Sequence, residues 1–461
     1  MKKARRWLAA ALVSVCALLS GCELLDGGNL LMLPDISPDQ RKLLQFVNSV
    51  TANSSWVVTS PSSGENLSTM QFVDFFGDGI SEAVSFFRNS SEMRLRVGLY
   101  SKTRNTGYTE LCTFQTEGYS VEEVIYSDVD GDGSLEILLF VGYESGAIYG
   151  AEVYKIRNSS AERIYSGACT AYAVFDMTRD GYSELILHHE ESSGGARNAY
   201  AELLTFDNEK AECLGYASVS SGGGKPRSTV CGRMNNGMSV CIFDSILRVK
   251  DMTIYVSDVL TWTVFDGFEN LSYSNEWGYA YTTLRNTEVF CRDIDFDGFL
   301  EIPQTEEMPM NSASVQSGNT PGTYTYWYGY NADGQLVQKN LTYMFPDGSW
   351  YFIMPPSWSR TVYVVTGSMD GLTTLTFSAD RNDRSNRLLT IYRTASDENG
   401  VLLPEGVFSV GDFGGYSYYA LIGFPDELSP LADDMYLTGE KDVMSRFVTV
   451  DAFGNAAKAS K

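Results

Sequence analysis

Asp128-Val129-Asp130-Gly131-Asp132-Gly133-Ser134-Leu135-Glu136 places carboxylates at loop positions 1, 3, 5 and 9, with a glycine at 6. Oxygens that alternate along a tight turn converge on one point, and a hard cation such as Ca²⁺ takes six to eight of them. Gly133 relieves the turn where a side chain would strain it. Apolar, strand-like runs flank the loop, Val124-Ile125-Tyr126 before it and Ile137-Leu138-Leu139-Phe140-Val141 after it.

The phrase recurs. Its other copies begin at Asp74, Asp176 and Asp293, giving spacings of 54, 48 and 117, so one unit has lost its signature within the last gap. A period near 50 with several strands per unit predicts a mainly β chain, a β-propeller with about five to seven four-stranded blades. Five blades are readable between about 66 and 345. The second runs over 121–127, 135–143, 148–156 and 161–166, and the silent one lies near 228–275. A sixth would be closed by the segment around Trp56-Val57-Val58. Past Tyr343-Met344-Phe345-Pro346 the acidic phrase stops, and 346–455 reads as a small C-terminal α+β domain. Its strands fall at 350–354, 361–366, 372–377, 387–393 and 416–422. A helix is expected over 429–447, with a polar tail at 456–461.

The N-terminus reads as an address. Lys2 to Arg6 are basic, Trp7 to Ser20 are apolar but short for a membrane span, and Leu19-Ser20-Gly21-Cys22 resembles the lipobox of bacterial lipoprotein signal peptides. That resemblance implies a signal peptide over 1–21, acylation of Cys22 and a lipid anchor on the extracytoplasmic face of the cell membrane. A tether over 22–36 follows. A short helix over 37–51 then opens on Ser37-Pro38-Asp39-Gln40, with Leu43, Leu44, Phe46, Val47 and Val50 on its apolar face. The net charge is −24, and removal of Lys2, Lys3, Arg5 and Arg6 with the leader takes it to −28. A chain this acidic repels nucleic acid, which is not expected as a partner. Cys112, Cys169, Cys213, Cys231, Cys241 and Cys291 remain, either as three disulfides or as buried free thiols.

Asp-x-Asp-x-Asp-Gly-x-x-Glu between two strands resembles the FG-GAP and VCBS repeats of integrin-like β-propellers. The lipobox, helix, repeats and C-terminal phrase together resemble VCBS-repeat lipoproteins of Gram-positive, Clostridia-type bacteria. That phrase is Trp350-Tyr351-Phe352-Ile353-Met354-Pro355-Pro356-Ser357-Trp358. In that family the loop binds structural Ca²⁺ through positions 1, 3, 5 and 9 and the position-7 carbonyl. The resemblance therefore implies ligands at Asp128, Asp130, Asp132, Ser134 and Glu136. It implies a second set at Asp293, Asp295, Asp297, Phe299 and Glu301. Two loops depart from the pattern and are weaker candidates: Asp74, Asp78 and Glu82, with Phe76 at position 3, and Asp176, Asp180 and Glu184, with Thr178 there and Arg179 beside it. An EF-hand is excluded, because Leu139 and Gln304 stand where its bidentate Glu belongs.

No catalytic apparatus is expected. The carboxylates repeat from unit to unit, which a repeat explains better than one active site. His188 and His189, the two histidines, point to opposite faces of a strand and are expected at a surface or edge. No Gly-x-Ser-x-Gly elbow is present, and Ser221-Gly222-Gly223-Gly224-Lys225-Pro226 lacks the Ser or Thr of a phosphate loop and reads as a turn between units. Tyr324-Thr325-Tyr326-Trp327-Tyr328-Gly329-Tyr330 suits glycan stacking only if it is not core. The expectation is thus a Ca²⁺-stapled, lipid-anchored surface protein that binds an envelope protein or a glycan. The alternatives are an envelope hydrolase, with chemistry in the propeller funnel or C-terminal domain, and an envelope scaffold.

Overall fold

The computed structural model describes residues 38–458 except 53, 104–106, 144–147, 194–195, 208–209, 308–322, 359–361, 370–371, 380–385, 397–401, 424–434 and 451–455. The expected leader, the tether and Cys22 lie outside the described residues. Helix α1 (Pro38–Thr51) starts at the predicted proline. The first sheet holds β1 (Trp56–Thr59), β2 (Met70–Val73), β3 (Glu82–Asn89), β4 (Arg94–Lys102) and β5 (Tyr108–Thr116). β1 and β2 share one edge of β3, pairing Trp56 with Asn89 and Met70 with Ser85. The segment at Trp56 therefore completes the first sheet instead of closing a sixth.

Three four-stranded antiparallel meanders follow in sequence order. One comprises β6 (Ser120–Ser127), β7 (Glu136–Gly142), β8 (Tyr149–Arg157) and β9 (Ser160–Cys169). The next comprises β10 (Ala171–Phe175), β11 (Glu184–Ser193), β12 (Ala196–Asp207) and β13 (Lys210–Ser218). The silent unit is a sheet of the same kind: β14 (Ser228–Arg233), β15 (Ser239–Val249), β16 (Met252–Thr263) and β17 (Gly267–Asn270). It folds without the acidic phrase because its strands keep the alternation that builds both faces.

That alternation also explains the stacking. In β7, Ile137, Leu139 and Val141 pack against Val84, Phe86 and Val97 of the first sheet, while Leu138 and Phe140 pack against Leu185 and Leu187 of the third. In β15, Cys241 and Phe243 turn to the third sheet and Val240 and Ile242 to the fifth. Inner strands such as β7 and β15 are apolar on both faces and read as continuous hydrophobic runs, and each fully buried aliphatic side chain adds about 1.5–3 kcal/mol. The outer face of the first sheet, at Ala83, Phe87 and Tyr100, is covered by Leu43 and Val47 of α1. Among the described residues, no core cluster joins the last sheet to the first.

The fifth sheet begins with β18 (Ile302–Glu307), β19 (Thr323–Tyr330), β20 (Leu336–Met344) and β21 (Trp350–Ile353). A sixth contains β22 (Tyr363–Met369), β23 (Leu372–Ser378), β24 (Arg387–Ala395), β25 (Phe408–Phe413) and β26 (Tyr416–Ile422). Helix α2 (Glu440–Arg446) then leads into β27 (Phe447–Val450) and β28 (Ala456–Lys458), which return to the free edge of β21. Hydrogen bonding is therefore continuous across residue 345, where the chain was divided on texture: β20 pairs with β21, and Tyr324 and Tyr343 share one core with Trp350, Phe377 and Tyr418. The C-terminal part is β-rich, with one seven-residue α-helix and a short 3-10 turn at Pro356–Trp358 among its described residues. The expected helix over 429–447 is realised only at 440–446. Residues 429–434 lie outside the described residues, and Phe447-Val448-Thr449-Val450, aromatic then β-branched, extends because the β21 edge offers it backbone partners. The tail likewise contributes β28.

Tyr324, Tyr326, Trp327 and Tyr330 are all buried, on both faces of β19, so that aromatic run is core and offers nothing to a glycan. All six cysteines are free thiols, with Cys231 directly opposite Cys241 across β14 and β15. No described helix is long and apolar enough to cross a membrane.

Candidate metal centre in the acidic loops

Two of the acidic loops connect the first strand of a sheet to its second (β6 to β7 and β10 to β11), one joins β2 to β3, and the fourth runs into β18. All four are wired alike. The position-1 carboxylate accepts backbone N–H groups from further round the turn: Asp128 from Gly131 and Gly133 at 2.7 and 2.9 Å, Asp293 from Phe296 and Gly298 at 2.7 and 2.8 Å. Asp176 does the same with Arg179 and Gly181, and Asp74 with Asp78 and Gly79. The position-5 carboxylates of Asp78, Asp132, Asp180 and Asp297 each accept the N–H two residues on, at 2.8–2.9 Å. The position-9 glutamates Glu82, Glu136, Glu184 and Glu301 are buried, and each accepts the position-2 N–H. A buried carboxylate must find such donors, so the acidic phrase is turn chemistry before it is metal chemistry.

The loops also tie neighbouring sheets together. Leu135 N–H donates to the Phe75 carbonyl at 2.9 Å, and Leu300 N–H to the Arg233 carbonyl at 2.8 Å. Tyr182 lies over Gly131, where a Cβ would fall 2.8 Å from the ring and the backbone has φ +75°. Only glycine fits there. Arg179, whose charge looked hostile to a cation, reaches away and donates to the Gly237 carbonyl at 3.1 Å.

What differs is the centre of each loop. In the third, Thr178 Oγ1 donates to Glu184 Oε1 at 2.9 Å, so a hydroxyl fills the position-3 role. In the first, Phe76 supplies no oxygen and packs into the core between the first two sheets. In the second, the ligand-capable oxygens of Asp128, Asp130 and Glu136 lie within 4.8 Å of one another. Lys155 of β8 reaches into the loop beside two of the three, Asp130 and Glu136. Its Nζ hydrogen-bonds Asp130, lies 2.7 Å from Asp132 Oδ2 and 3.8 Å from Glu136 Oε1, and its side chain is only 5% exposed. Burial pulls the Lys155 ammonium down, but its bonds to Asp130 and Asp132 outweigh that and hold it above the ordinary lysine value. Burial also pushes Glu136 up to about 7, while the Lys155 hydrogen bond holds Asp132 low.

The fourth loop presents the other group of carboxylates among the described residues that could hold a metal ion. Asp293, Asp295 and Asp297 converge within 4.8 Å, and no lysine or arginine ion-pairs with them among the described residues. Asn340 donates to Asp295 Oδ2 at 2.7 Å. Burial, then Asp295, Asp297 and Asp293, push Glu301 up to about 8. An all-oxygen, all-carboxylate donor set suits a hard divalent ion. Thus Asp293, Asp295 and Asp297 meet as expected, whereas Glu301 lies outside that group of three and is already bonded to Ile294 N–H. Asp132 likewise stands outside the group of the second loop.

Sequence reasoning missed Lys155, which is cross-strand from Glu136. Only the β7–β8 register places it there. It also missed the buried charges behind the silent unit. Arg285 and Asp244 pair at 2.9 Å with side chains 0% and 1% exposed, and Asp258, wholly buried and bonded to Ser220 and Asn270, is pushed up to about 7.

His188 is buried against Phe243, contrary to the surface position expected for it, while His189 faces the other way beside Glu202. Burial, then His189, lower the His188 pKa to about 4. Between pH 6.5 and about 4 the unfolded chain takes up a proton that the folded chain refuses. Stability conferred by neutral His188 is therefore complete above pH 6.5 and lost as pH falls, by up to about 3 kcal/mol. Melting curves of wild type and His188→Gln should diverge in slope across that window and run parallel above it.

No family model matches the chain, and no curated protein does. Among solved structures it is similar to the exotype rhamnogalacturonan lyase YesX, at 11% identity and a TM-score of 0.30, over 80% of this chain and 76% of that one. It is also similar to an exo-beta-1,3-galactanase from Phanerochaete chrysosporium bound to beta-1,3-galactotriose, at 9% identity and a TM-score of 0.24, over 80% and 90%. Likenesses this distant bear on neither activity nor topology.

Proposed function

We propose that this chain is a lipid-anchored, extracytoplasmic binding protein whose stacked sheets are propeller-type blades stapled by FG-GAP/VCBS-like loops, with one structural Ca²⁺ in the fourth loop. The observation that carries this reading is the contrast between two loops of equal sequence quality. A lysine, Lys155, pairs with the carboxylates of the second, and the fourth offers three convergent carboxylates with no ion-pair partner among the described residues, Lys339 standing near Asp297 without pairing. Asp293, Asp295 and Asp297 would hold the ion, which there serves to neutralise like charges. The helix over the first sheet favours a row of blades capped at its start over a closed ring. A non-catalytic role fits the placement of Asp258, whose raised carboxyl is sealed in the core away from any substrate. Anchoring rests on the lipobox at Cys22.

Titration of the full chain, purified in detergent and freed of metal by a chelator, tests the reading. One saturable Ca²⁺ site is expected, lost in Asp295→Ala. Ca²⁺ at a hundred times its dissociation constant should add about 2.7 kcal/mol of stability. Two sites in wild type, or an unchanged melt in saturating Ca²⁺, would reject it. Mass spectrometry of the membrane fraction tests the anchor, which requires a diacylglyceryl mass on Cys22.

A further inference from the structure

Two of the acidic loops sit where the first strand of a sheet turns into its second. At the opposite end of those strands the chemistry is reversed. There residues 221–226 cross the end of β15, and a Cβ on Gly223 would meet the Ile246 carbonyl oxygen at 2.6 Å, so only glycine lets the backbone lie this close. Glu190 accepts the Gly222 N–H at 3.1 Å and helps to order the loop. Beside it opens a cleft of about 570 Å³ whose charged lining is Lys225, Arg227 and Arg248, with no carboxylate. The guanidinium groups of Arg227 and Arg248 are exposed and form no ion pair among the described residues. In a chain of net charge −24, three cations kept together in a concave site need a reason.

Two aromatic features adjoin this cleft. Lys225 also lines a cavity of about 580 Å³ with Tyr149, Tyr172 and Glu123, where it lies 4.4 Å over the Tyr149 ring and hydrogen-bonds its hydroxyl. Tyr172 donates to Glu123 there at 3.0 Å. On the outer side, Ser220 Oγ accepts the Ala280 N–H at 2.9 Å and ties the glycine loop to the turn carrying Trp277 and Tyr281. Those two rings stack at 5.3 Å and are 53% and 49% exposed. Leu247 packs with Ala280 in one apolar cluster, and a Cβ on Gly223 would lie 3.4 Å from Leu247 Cδ2, so the turn that carries the exposed rings adjoins the glycine loop.

We propose that this end of the molecule binds an acidic saccharide, its carboxylate held by Lys225, Arg227 and Arg248 and its ring faces set against Trp277 and Tyr281. Arginine forks match a carboxylate in shape as well as charge, and a sugar's C–H face covers an aromatic ring while its hydroxyls stay hydrated. The tyrosine hydroxyls and Glu123 supply donors and an acceptor for a residue that enters the inner cavity. The cleft has the size of a small-ligand site. This assignment rests on the reading of the chain as a surface binding protein and names its ligand class.

The full chain in detergent is titrated calorimetrically with a trimer of uronic acid, the corresponding neutral hexose trimer and inorganic phosphate. The uronate trimer should bind, at least about tenfold tighter than the neutral trimer, and lose affinity in about 0.5 M salt. The exposed substitutions Arg227→Gln with Arg248→Gln, and separately Trp277→Ala, should each weaken it about tenfold without moving the melting temperature. Neutral trimer binding equally well overturns the proposal. So does phosphate binding as tightly as uronate and unaffected by Trp277→Ala, or no binding at all. Membrane retention and the Ca²⁺-dependent melt are read on the same samples. Their failure condemns the parent reading, whereas their persistence without uronate binding condemns the saccharide site alone.

Discussion

Replacing Arg285 with methionine is expected to lower stability by about 3–5 kcal/mol, because it leaves a buried carboxylate without its counter-charge. Arg285 pairs with Asp244 at 2.9 Å, donates to Ser257 Oγ at 2.8 Å and to the carbonyls of Val289 and Thr283 at 2.7 and 3.2 Å. Asp244 keeps only the Ser257 hydroxyl and the Cys291 N–H once the guanidinium is gone. Two backbone carbonyls lose a donor as well. The site matters because the segment between β17 and β18 has isolated bridges in place of a sheet ladder, such as Tyr255 with Arg285, and its backbone depends on side chains for partners. Chemical denaturation should show the loss in Arg285→Met and recovery of at least about 2 kcal/mol in the double variant with Asp244→Leu, which removes the stranded charge. A cost below about 1 kcal/mol in the single variant would mean that water enters and the pair is not sealed.

Lys155→Met is the second large effect. Without a cation, Asp130, Asp132 and Glu136 face one another unneutralised, and a loss of about 3 kcal/mol is expected in chelator. The same substitution removes the ammonium from a loop that carries carboxylates at the same four positions as the fourth, so the variant should bind a second Ca²⁺ and regain most of its stability in saturating ion. Lys155→Met with Asp130→Asn should do neither. If the single variant keeps one Ca²⁺ site and its wild-type stability, Lys155 is not the internal cation. If wild type already binds two ions, the lysine yields to Ca²⁺.

Much of this molecule was legible as text because it is local. The bonds from position 1 to the N–H groups at 4 and 6, from 5 to 7 and from 9 to 2 all close within nine residues, so the loop's shape is written in the loop. The alternation that faces Ile137 one way and Leu138 the other is equally local. It revealed even the silent unit at β14–β17, which carries no acidic phrase. Helix α1 was readable from its proline and apolar spacing.

The rest was decided across distance. What fills the centre of each acidic loop turns on Lys155, Thr178 and Asn340, and only the Thr178 contact lies within its own loop. A strand that is a free edge recruits whatever extended segment reaches it, so Phe447–Val450 joined β21 and the textural break at 345 disappeared inside one sheet. Charges such as Arg285 and Asp244 look solvated in a sequence, since nothing in the string shows that they face each other in the core. Arg227, Arg248 and Trp277 likewise belong to separate turns until the sheets stack. The sequence by itself determined the sheet units and the turns, whose interactions close within a few residues. Tertiary structure decided where charge is neutralised and where it is displayed, because a Coulomb interaction depends on separation in space and on burial, and both are set only when strands find their partners.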